Sequence, residues 1–297
     1  MNVETVWNIF FSPAGSTAKI SESIATVAAQ VLNVPVKAVN LTPPGARERE
    51  YHFTQKDLTV IAFPTYAGKL PNKILPDLKR CLHADSAPAI AVVTFGNRAF
   101  DNSLAELTDC LTHNGFFTVS AAAFASRHAF TDKVGSGRPD ETDMAEINHF
   151  ALASAEKVQN LTDIVATLTP SGNATLTPYG NTTVAPSGNA MVVPSGNAAA
   201  AYYVPCGTDG KPVNFLKAKP RTDLSKCSQC GTCARSCPMG SIDPEDVSVV
   251  RGICIKCQGC VRKCTRHAKY FDDAAFLSHV AMLEQNFTAR AENQMFL

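Results

Sequence analysis

The sequence predicts an α/β protein in two parts: a doubly wound, five-stranded parallel sheet, followed by a small α+β domain rich in cysteine. Two observations predict this fold class. Short apolar runs alternate with longer amphipathic stretches up to about residue 166, and eight of the 11 cysteines lie between Cys227 and Cys264. Alternating strand and helix patterns are typical of βαβ units, in which helices cover both faces of a parallel sheet. A chain of 297 residues has room for about two domains.

Five apolar, β-branched or aromatic runs are the predicted strands. They are Val3–Phe11, Val34–Leu41, Leu58–Thr65, Ala89–Phe95 and Phe117–Ala125. Helical periodicity separates or follows these runs, at Ser16–Leu32, Asn72–Leu82, Ser103–His113 and Glu141–Val165. The connection between Leu41 and Leu58 has little helical period, so we expect a short or irregular crossover there. Five strands in about 125 residues is the size of a small doubly wound sheet.

The composition excludes several classes of protein. Apolar residues make up 45% of the chain, charged residues make up 18%, and the formal net charge is +1. These values argue against a disordered chain, a collagen and a basic nucleic-acid-binding tail. No run of apolar residues is long enough to span a membrane. The first residues lack the basic stretch and the cleavage site of a signal peptide, so we expect a cytoplasmic protein.

Residues 167–204 are predicted to link two domains at residues 1–166 and 205–297. An eight-residue repeat begins at Pro170, Pro178, Pro186 and Pro194, and each Pro is followed by Ser-Gly-Asn or Tyr-Gly-Asn. Pro and Gly at this spacing favour type I turns. Two interpretations stay open. The units stack into a small β-coil, or they form a tether, because each unit has too little apolar area for a core.

Two runs of four cysteines share the spacing C-x2-C-x2-C-x3-C. The first run is Cys227, Cys230, Cys233 and Cys237, and the second is Cys254, Cys257, Cys260 and Cys264. In a reducing compartment, such a density of cysteines indicates metal binding rather than disulfides. Three closely spaced thiolates can surround one iron–sulfur cubane, whereas the fourth cysteine points away. In two-cluster bacterial ferredoxins, the fourth cysteine of each run binds the other cluster.

We therefore predict two [4Fe–4S] clusters that exchange their fourth ligands. One cluster takes Cys227, Cys230, Cys233 and Cys264, and the other takes Cys254, Cys257, Cys260 and Cys237. Structural zinc is the alternative, but zinc sites use paired C-x2-C arms, often with His, and two triple runs do not fit that pattern. Basic residues around the runs are either counter-charge for the clusters or a docking patch for an acidic electron donor. They are Lys226, Lys256, Arg262, Lys263 and Arg266.

Three loops follow the first, third and fourth predicted strands and should meet at the carboxyl edge of the sheet, where ligands bind in doubly wound folds. The first loop runs from Ser12 to Thr17 and opens directly into a helix. Backbone N–H groups and the helix dipole at such a terminus bind phosphate, although an ordinary helix cap by Ser16 or Thr17 is the alternative. The other loops are 64–69 and 96–101. Together they supply a phosphate cradle, two aromatic rings and Gly backbone, a set that suits FMN.

The predicted FMN-binding residues belong to these loops and to the strand ends beside them. Tyr66 and Phe100 are the candidates for stacking on the flavin ring, with core packing as the alternative. Gly68, Gly96 and Asn97 are the candidates for the N5 side of the ring. The full set is Ser12, Ala14, Gly15, Ser16, Thr17, Pro64, Thr65, Tyr66, Ala67, Gly68, Thr94, Phe95, Gly96, Asn97, Phe100 and Asp101.

At this point the chain resembles a known family. It is similar to the flavodoxin–ferredoxin fusion proteins of anaerobic microbes in the three loops, in His128, in the stretch Gly137-Arg138-Pro139-Asp140 and in the paired cysteine runs. The similarity covers nearly the whole chain except residues 170–201. It implies a flavodoxin-like domain that holds FMN and a C-terminal two-cluster ferredoxin domain. Flavodoxins usually have T-x-T-G-x-T in the phosphate loop, whereas here Ser12 and Ala14 replace the first two threonines.

These observations predict an electron-transfer iron–sulfur flavoprotein that passes electrons between FMN, two [4Fe–4S] clusters and a redox partner protein. The alternative is a ferredoxin-type electron carrier whose flavodoxin-like domain is a flavin-free docking module. A redox sensor is a third hypothesis, which no DNA-binding element supports, and no nucleic-acid partner is expected. No nucleophile motif, acid–base pair or nicotinamide fingerprint is evident. An FMN- and iron–sulfur-dependent oxidoreductase activity therefore stays open.

Overall fold

A computed structural model describes residues 2–161 and 191–297, and ten strands and eight helices lie in these ranges. The strands are β1 (Thr5–Phe10), β2 (Val36–Asn40), β3 (Tyr51–Phe53), β4 (Asp57–Pro64), β5 (Leu82–Ala84), β6 (Pro88–Phe95), β7 (Phe117–Ala125), β8 (Arg221–Thr222), β9 (Lys269–Tyr270) and β10 (Gln294–Phe296). The helices are α1 (Ser16–Leu32), α2 (Pro44–Arg47), α3 (Leu75–Cys81), α4 (Ser103–His113), α5 (Glu141–Asn160), α6 (Thr232–Arg235), α7 (Gly259–Arg262) and α8 (Ala274–Asn286). None of the helices in these ranges is long and apolar enough to cross a bilayer.

The main sheet has the strand order β10-β7-β6-β4-β1-β2. Its five long strands pair in parallel, whereas β10 pairs antiparallel with β7. Counted along the chain, the five parallel strands have the order 2-1-3-4-5, which is the flavodoxin-like doubly wound arrangement. The predicted fold class is therefore confirmed. The five predicted strands are all present, and α1 and α4 begin and end where the sequence pattern places them.

Helices cover both faces of this sheet, so its central strands are buried on both sides. All eight residues of β6 are buried, as expected of a strand between two helical layers. On one face, α1 buries Ile20, Ile24 and Ala28, which recur at the four-residue spacing of a helical stripe, against the sheet and α5. On the other face, α3 and α4 enclose a second core that includes Leu78 and Leu107. The sheet thus presents its carboxyl edge as a rigid platform for loops.

The connection between Leu41 and Leu58 is irregular, as predicted. It contains the single helical turn α2 and the short strand β3, which pairs with β5 outside the main sheet. The Arg47 side chain at the end of α2 is buried, and its Nη2 donates to the Pro238 carbonyl oxygen at 2.5 Å. This turn therefore connects the sheet domain to the cysteine-rich domain.

The C-terminal residues return to the sheet. After α8, the chain adds β10 to the edge of β7, where Met295 lies opposite Ala122. No apolar pattern marks this short strand in advance. Its pairing covers one edge of the sheet, and edges are otherwise open to further strand addition. Residues beyond 287 thus complete the first domain rather than extend the cysteine-rich one.

The end of the eight-residue repeat lies against the sheet domain. Asn197 N donates to Asn102 Oδ1 at 2.8 Å. Lys69, which forms a buried ion pair with Glu106 at 2.9 Å, also donates from Nζ to the carbonyl oxygens of Ala198 and Ala200. Residues 162–190, which carry most of the repeat and the predicted boundary at 166, lie outside the described residues. The coil and tether interpretations and the domain bounds therefore stay predictions.

Candidate cofactor sites

The two cysteine runs fold into the same backbone conformation, 27 residues apart. Left-handed φ angles occur at Gln229 (51°) and Gly231 (72°) in the first run, and at Lys256 (55°) and Gln258 (60°) in the second. The single-turn helices α6 and α7 follow at the same offset. A left-handed φ costs a residue other than glycine about 1–2 kcal/mol. Its recurrence at matched positions shows that each run wraps its cysteines around a centre in the same way.

Backbone N–H groups point at the cysteine sulfurs with the same repeat. Gln229 N lies 3.4 Å from Cys227 Sγ, and its counterpart Lys256 N lies 3.4 Å from Cys254 Sγ. The fourth cysteines have equivalent donors: Ser241 N lies 3.4 Å from Cys237 Sγ, and Ala268 N lies 3.2 Å from Cys264 Sγ. Donors directed at sulfur stabilise the thiolate over the thiol, which is the form that binds metal.

Each run contributes three cysteines to one cavity and its fourth cysteine to the other. The first cysteine cavity is lined by Cys227, Cys230, Cys233 and Cys264. The second cysteine cavity is lined by Cys237, Cys254, Cys257 and Cys260. Within the described ranges, no three His, Cys, Asp or Glu side chains converge closely enough for a single metal ion. The two four-cysteine cavities fit a larger group, in which each thiolate binds a separate iron.

The two cysteine cavities differ in exposure. Cys230 in the first cavity is exposed, and hydrogen bonding by the Thr232 hydroxyl and backbone lowers its pKa. In the second cavity, burial raises the pKa of Cys257 to about 12 and also raises the pKa values of Cys254 and Cys260. Buried thiols of this kind ionise only when a cation replaces their protons. The first cavity therefore has one exposed cysteine, whereas the cysteines of the second are buried or half-buried.

A third cavity, of about 700 Å³, opens at the carboxyl edge of the sheet and is called the edge cavity below. Its volume is within the range of about 300–1,000 Å³ that is usual for ligand pockets. Thirteen of the sixteen predicted FMN-binding residues line it. They are Ser12, Ala14, Gly15, Ser16, Thr17, Pro64, Thr65, Tyr66, Ala67, Gly68, Thr94, Phe95 and Gly96.

The N-cap residue of α1 supplies no side-chain cap, and Ser12 from the preceding loop binds only one of the first N–H groups. The N-cap residue is Gly15, which has a left-handed φ of 99°, and α1 has no acidic residue in its first turn. Ser12 Oγ accepts from Ala18 N at 3.0 Å, and the hydroxyls of Thr17 and Thr94 lie 2.7 Å apart. Capping by Ser16 or Thr17 is therefore not observed. An uncapped helix start without nearby carboxylates fits a phosphate group.

The charged side chains in the lining of the edge cavity are basic, although Arg98 and Arg127 have acidic partners, Asp101 and Asp132, outside the lining. Its lining includes Lys73, Arg98, Arg127 and Lys256, and no Asp or Glu. The Arg98 guanidinium lies over the ring of Tyr203 at 4.0 Å and also pairs with Asp101. A cavity with basic side chains and no carboxylate favours an anionic ligand, and FMN carries its negative charge on a phosphate.

Three predicted FMN-binding residues lie outside the edge cavity. The Asn97 amide donates to the carbonyl oxygens of Phe287 and Ala289 at 2.9 and 2.8 Å, so Asn97 holds the C-terminal segment. The Phe100 ring packs against Phe95, with centroids 5.6 Å apart, as in the core-packing alternative. Asp101 is the partner of Arg98. Local sequence could not reveal these roles, because the contacts of Asn97 come from residues about 190 positions away.

Several lining residues were not predicted, because they come from outside the three loops. The strand end after β7 contributes His128 and Phe130, and the segment before the cysteine-rich domain contributes Tyr202 and Tyr203. His128 was noted in the sequence without a position in the site. The cysteine-rich domain itself supplies the stretch from Ile253 to Cys257. Only the packing of the two domains brings these residues together.

Cys254 and Cys257 line both the edge cavity and the second cysteine cavity. These two cavities therefore share a wall. Glycine makes this approach possible at Gly259, where a Cβ atom would lie only 3.1 Å from the Pro13 carbonyl oxygen. The phosphate-loop candidate and the helix after Cys257 are thus in direct contact.

Basic residues near the cysteine runs divide into two groups. Lys256 Nζ donates to the Leu216 carbonyl oxygen, and Arg262 donates to the carbonyl oxygens of His128 and Ala129 and pairs with Asp132. Arg262 therefore holds the cysteine-rich domain against the sheet domain, whereas the hydrogen bond of Lys256 lies within the cysteine-rich domain. In contrast, Lys226, Lys263 and Arg266 are exposed.

Comparison with known proteins adds a family to this geometry. Residues 219–265 match the family model described as a 4Fe-4S dicluster domain, and all eight cysteines of the two runs lie within that range. The chain joins a flavodoxin-like domain to a ferredoxin-type dicluster domain. Clusters of this type carry electrons. A search of the curated proteins gives no match.

Solved structures similar to the fusion protein match its first half. A flavodoxin from the domain Archaea has 13% identity and a TM-score of 0.38, and the match covers 53% of this chain and 99% of that one. A short-chain flavodoxin associated with a non-canonical PDU bacterial microcompartment has 14% identity and a TM-score of 0.36, with 53% and 99% covered. The rubredoxin oxygen:oxidoreductase of Desulfovibrio gigas has 16% identity and a TM-score of 0.39, and the match covers 53% of this chain and 37% of that protein.

Proposed function

We propose that the fusion protein is an iron–sulfur flavoprotein that passes electrons between FMN, two [4Fe–4S] clusters and a redox partner protein. FMN exchanges one or two electrons, and each cubane exchanges one. The observation that carries this proposal is the shared wall, because Cys254 and Cys257 face both the edge cavity and the second cysteine cavity. Such a wall brings a ligand of the edge cavity next to a cysteine-bound cluster.

The two cysteine cavities support a division of the cluster ligands into two sets of four. Cys227, Cys230, Cys233 and Cys264 would hold one cluster, and Cys237, Cys254, Cys257 and Cys260 would hold the other. This assignment is supported by the matched N–H donors at Cys227, Cys254, Cys237 and Cys264. Since N–H groups directed at cluster sulfurs and burial both shift the reduction potential, the buried and the exposed cavity would set different potentials.

FMN would bind across the three loops of the edge cavity. The uncapped start of α1 at Gly15, Ser16 and Thr17 would hold the phosphate. The stretches Pro64–Gly68 and Thr94–Gly96 would enclose the ring. Burial and the nearby thiols of Cys257 and Cys254 raise the pKa of Tyr66, so this phenol stays neutral between the two cofactor sites.

The exposure of the cysteines favours one of the two cysteine cavities as the contact site of the redox partner protein. The second cysteine cavity adjoins the edge cavity and has no exposed cysteine, whereas Cys230 of the first cavity is exposed. The redox partner protein would therefore dock at the first cavity, where Lys226, Lys263 and Arg266 are exposed.

Cofactor analysis of one anaerobic preparation tests the proposal. We expect about eight iron atoms and one FMN per chain, and bleaching of both the flavin and the cluster absorbance on addition of dithionite. A preparation that contains zinc and no iron would overturn the cluster assignment. A preparation with iron but no flavin released on denaturation would select the alternative, a ferredoxin-type carrier with a docking module. That alternative is favoured by Ala14, which lacks the usual hydroxyl in the phosphate loop.

A further inference from the structure

The edge cavity extends beyond the three loops that carry the predicted FMN-binding residues. Its lining also includes five rings from four other parts of the chain: His128, Phe130, Tyr203, Phe215 and His279. These rings are called the aromatic wall below. His128 and Phe130 follow β7, Tyr203 precedes the cysteine-rich domain, Phe215 lies within it, and His279 is on α8. No part of the phosphate loop contributes to the wall.

The rings of the aromatic wall contact one another in a continuous series. His128 and Phe130 have centroids 5.0 Å apart, Phe130 and His279 are 6.4 Å apart, and His279 stacks on Phe215 at 5.5 Å with an angle of 28°. The ring centroid of Tyr203 lies 6.5 Å from that of His279, and the Arg98 guanidinium lies over the Tyr203 ring at 4.0 Å. Rings fixed in this way form a rigid surface, against which a flat aromatic ligand stacks at a small cost in entropy.

The two histidines of the aromatic wall have opposite hydrogen-bonding character. His128 Nδ1 accepts from Phe130 N at 3.1 Å, so in the neutral ring its Nε2 carries the proton. His279 Nδ1 lies 2.9 Å from the Cys206 carbonyl oxygen and must donate, so its Nε2 is an acceptor.

Burial and the neighbouring positive charges keep both rings neutral. Burial, together with the charges of Arg98 and Arg262, lowers the pKa of His128 to about 4, and burial also lowers the pKa of His279. Among the described residues, only Asn8 Oδ1 and Thr118 Oγ1 are fully buried side-chain atoms without a hydrogen-bond partner, so neither histidine Nε2 atom is sealed off in this way. One free donor and one free acceptor are thus available to a ligand on this side.

We propose that the aromatic wall binds a second small ligand, a flat aromatic anion, beside the FMN site. The stacked rings select a flat molecule. The basic side chains of the lining favour a negative charge, with Lys73 and Lys256 free, within the described ranges, of the acidic partners that Arg98 and Arg127 have in Asp101 and Asp132. This inference rests on the proposed function, since it needs FMN in the part of the edge cavity that the three loops form. The chain would then be more than an electron carrier, because a bound small molecule lies where electrons are delivered.

Equilibrium dialysis with anthraquinone-2-sulfonate tests the inference. This probe is a flat three-ring molecule with one sulfonate. With protein that holds FMN and iron, we expect one probe bound per chain and no loss of FMN. The neutral 2-(hydroxymethyl)anthraquinone should bind at least about tenfold more weakly, because it lacks the charge that the basic lining attracts. Release of one FMN for each probe bound would overturn the inference, since the edge cavity would then be a single site.

Variants locate the probe. Tyr203→Ala and Phe215→Ala should each weaken probe binding about tenfold or more, while the FMN and iron contents stay unchanged. The matched control is Leu277→Ala, whose side chain is exposed on α8, two residues from His279. Tyr203→Ala could also disturb the segment before the cysteine-rich domain. Tyr203→Phe controls for this, because it keeps the ring and should retain probe binding. Equal affinity in the wild type and both alanine variants would refute the site.

The proposed function can fail separately. If the protein takes up iron but no FMN, the flavoprotein proposal is wrong, and the same dialysis is carried out on the flavin-free protein. Probe binding that Tyr203→Ala and Phe215→Ala weaken would still support the aromatic wall as a ligand site. Probe binding that neither variant changes, or no binding at millimolar probe, would overturn it.

Discussion

Replacing the two fourth cysteines separately tests the exchange of cluster ligands. Cys237 and Cys264 are equivalent in the repeat, because they lie 27 residues apart and each accepts one backbone N–H. The cavities assign them to opposite clusters. Cys237→Ala should therefore damage the cluster of the second run, and Cys264→Ala the cluster of the first. In each variant, one cubane loses a ligand, so iron should fall from about eight to about four atoms per chain.

The two variants should differ in their affinity for FMN. The second cysteine cavity shares its wall with the edge cavity, through the stretch that includes Ile253, Cys254, Ile255 and Cys257. Loss of the cluster behind this wall would release Ile253 and Ile255 from the edge cavity. If about 60 Å² of apolar contact is lost, the cost is about 1.5 kcal/mol at about 25 cal/mol per Å². That value corresponds to a roughly tenfold higher Kd for FMN in Cys237→Ala.

Flavin fluorescence quenching on titration of deflavinated protein measures this Kd, and iron analysis of the same samples measures the loss of clusters. Cys264→Ala is the control, since its cavity does not touch the edge cavity; it should lose about half of the iron at an unchanged Kd. Weaker FMN binding in Cys264→Ala than in Cys237→Ala would show that each run keeps its own fourth cysteine. Equal Kd values in the two variants would show that the shared wall has no effect on the flavin.

Three further predictions follow from individual contacts. Thr17→Val removes the hydroxyl that lies 2.7 Å from Thr94 Oγ1 and should raise the Kd for FMN about fivefold, which corresponds to one hydrogen bond of about 1 kcal/mol. In the same titration, the control Cys206→Ser should bind FMN like the wild type. Asn97→Ala removes the two hydrogen bonds to the carbonyl oxygens of Phe287 and Ala289 and should lower the free energy of unfolding in urea by about 2 kcal/mol. The control Asn148→Ala, at an exposed position, should change it by less than about 0.5 kcal/mol. Similar values for both variants would contradict the role of Asn97. The pKa of His128 is lowered to about 4 in the folded protein, so between pH 7 and pH 5 the unfolded chain takes up a proton that the folded protein does not. The free energy of unfolding should therefore fall by about 2 kcal/mol from pH 7 to pH 5. His128→Gln should lose this part of the pH dependence, and an unchanged slope in that variant would count against a buried neutral ring.

Local patterns were sufficient for the elements of the sheet domain. The residues of β6 read as one apolar run because both faces of a parallel strand are covered, and the stripe of Ile20, Ile24 and Ala28 marks α1. The cysteine spacing was equally informative, since the geometry of a cubane requires short, fixed intervals between its ligands. In both cases, a constraint that acts over a few residues leaves its pattern in the sequence.

Contacts between distant parts of the chain left no such pattern. Asn97 looked like a flavin ligand because it follows a strand in the expected loop, yet its amide holds the C-terminal segment. The short strand β10 has too few residues for a readable alternation, and only its partner β7 makes it a strand. Tyr203 and Phe215 also carry no local signal for a cavity wall.

The sequence by itself predicted an iron–sulfur domain and an FMN site, because phosphate loops and cysteine runs are local arrangements of a few residues. Only the tertiary structure decided how the cofactor sites are combined. The contact of Gly259 with Pro13 and the position of Cys254 and Cys257 between two cavities depend on how one domain packs against the other. That packing is the sum of many weak contacts, such as those of Arg47 with Pro238 and of Arg262 with Ala129, made between residues far apart in the chain.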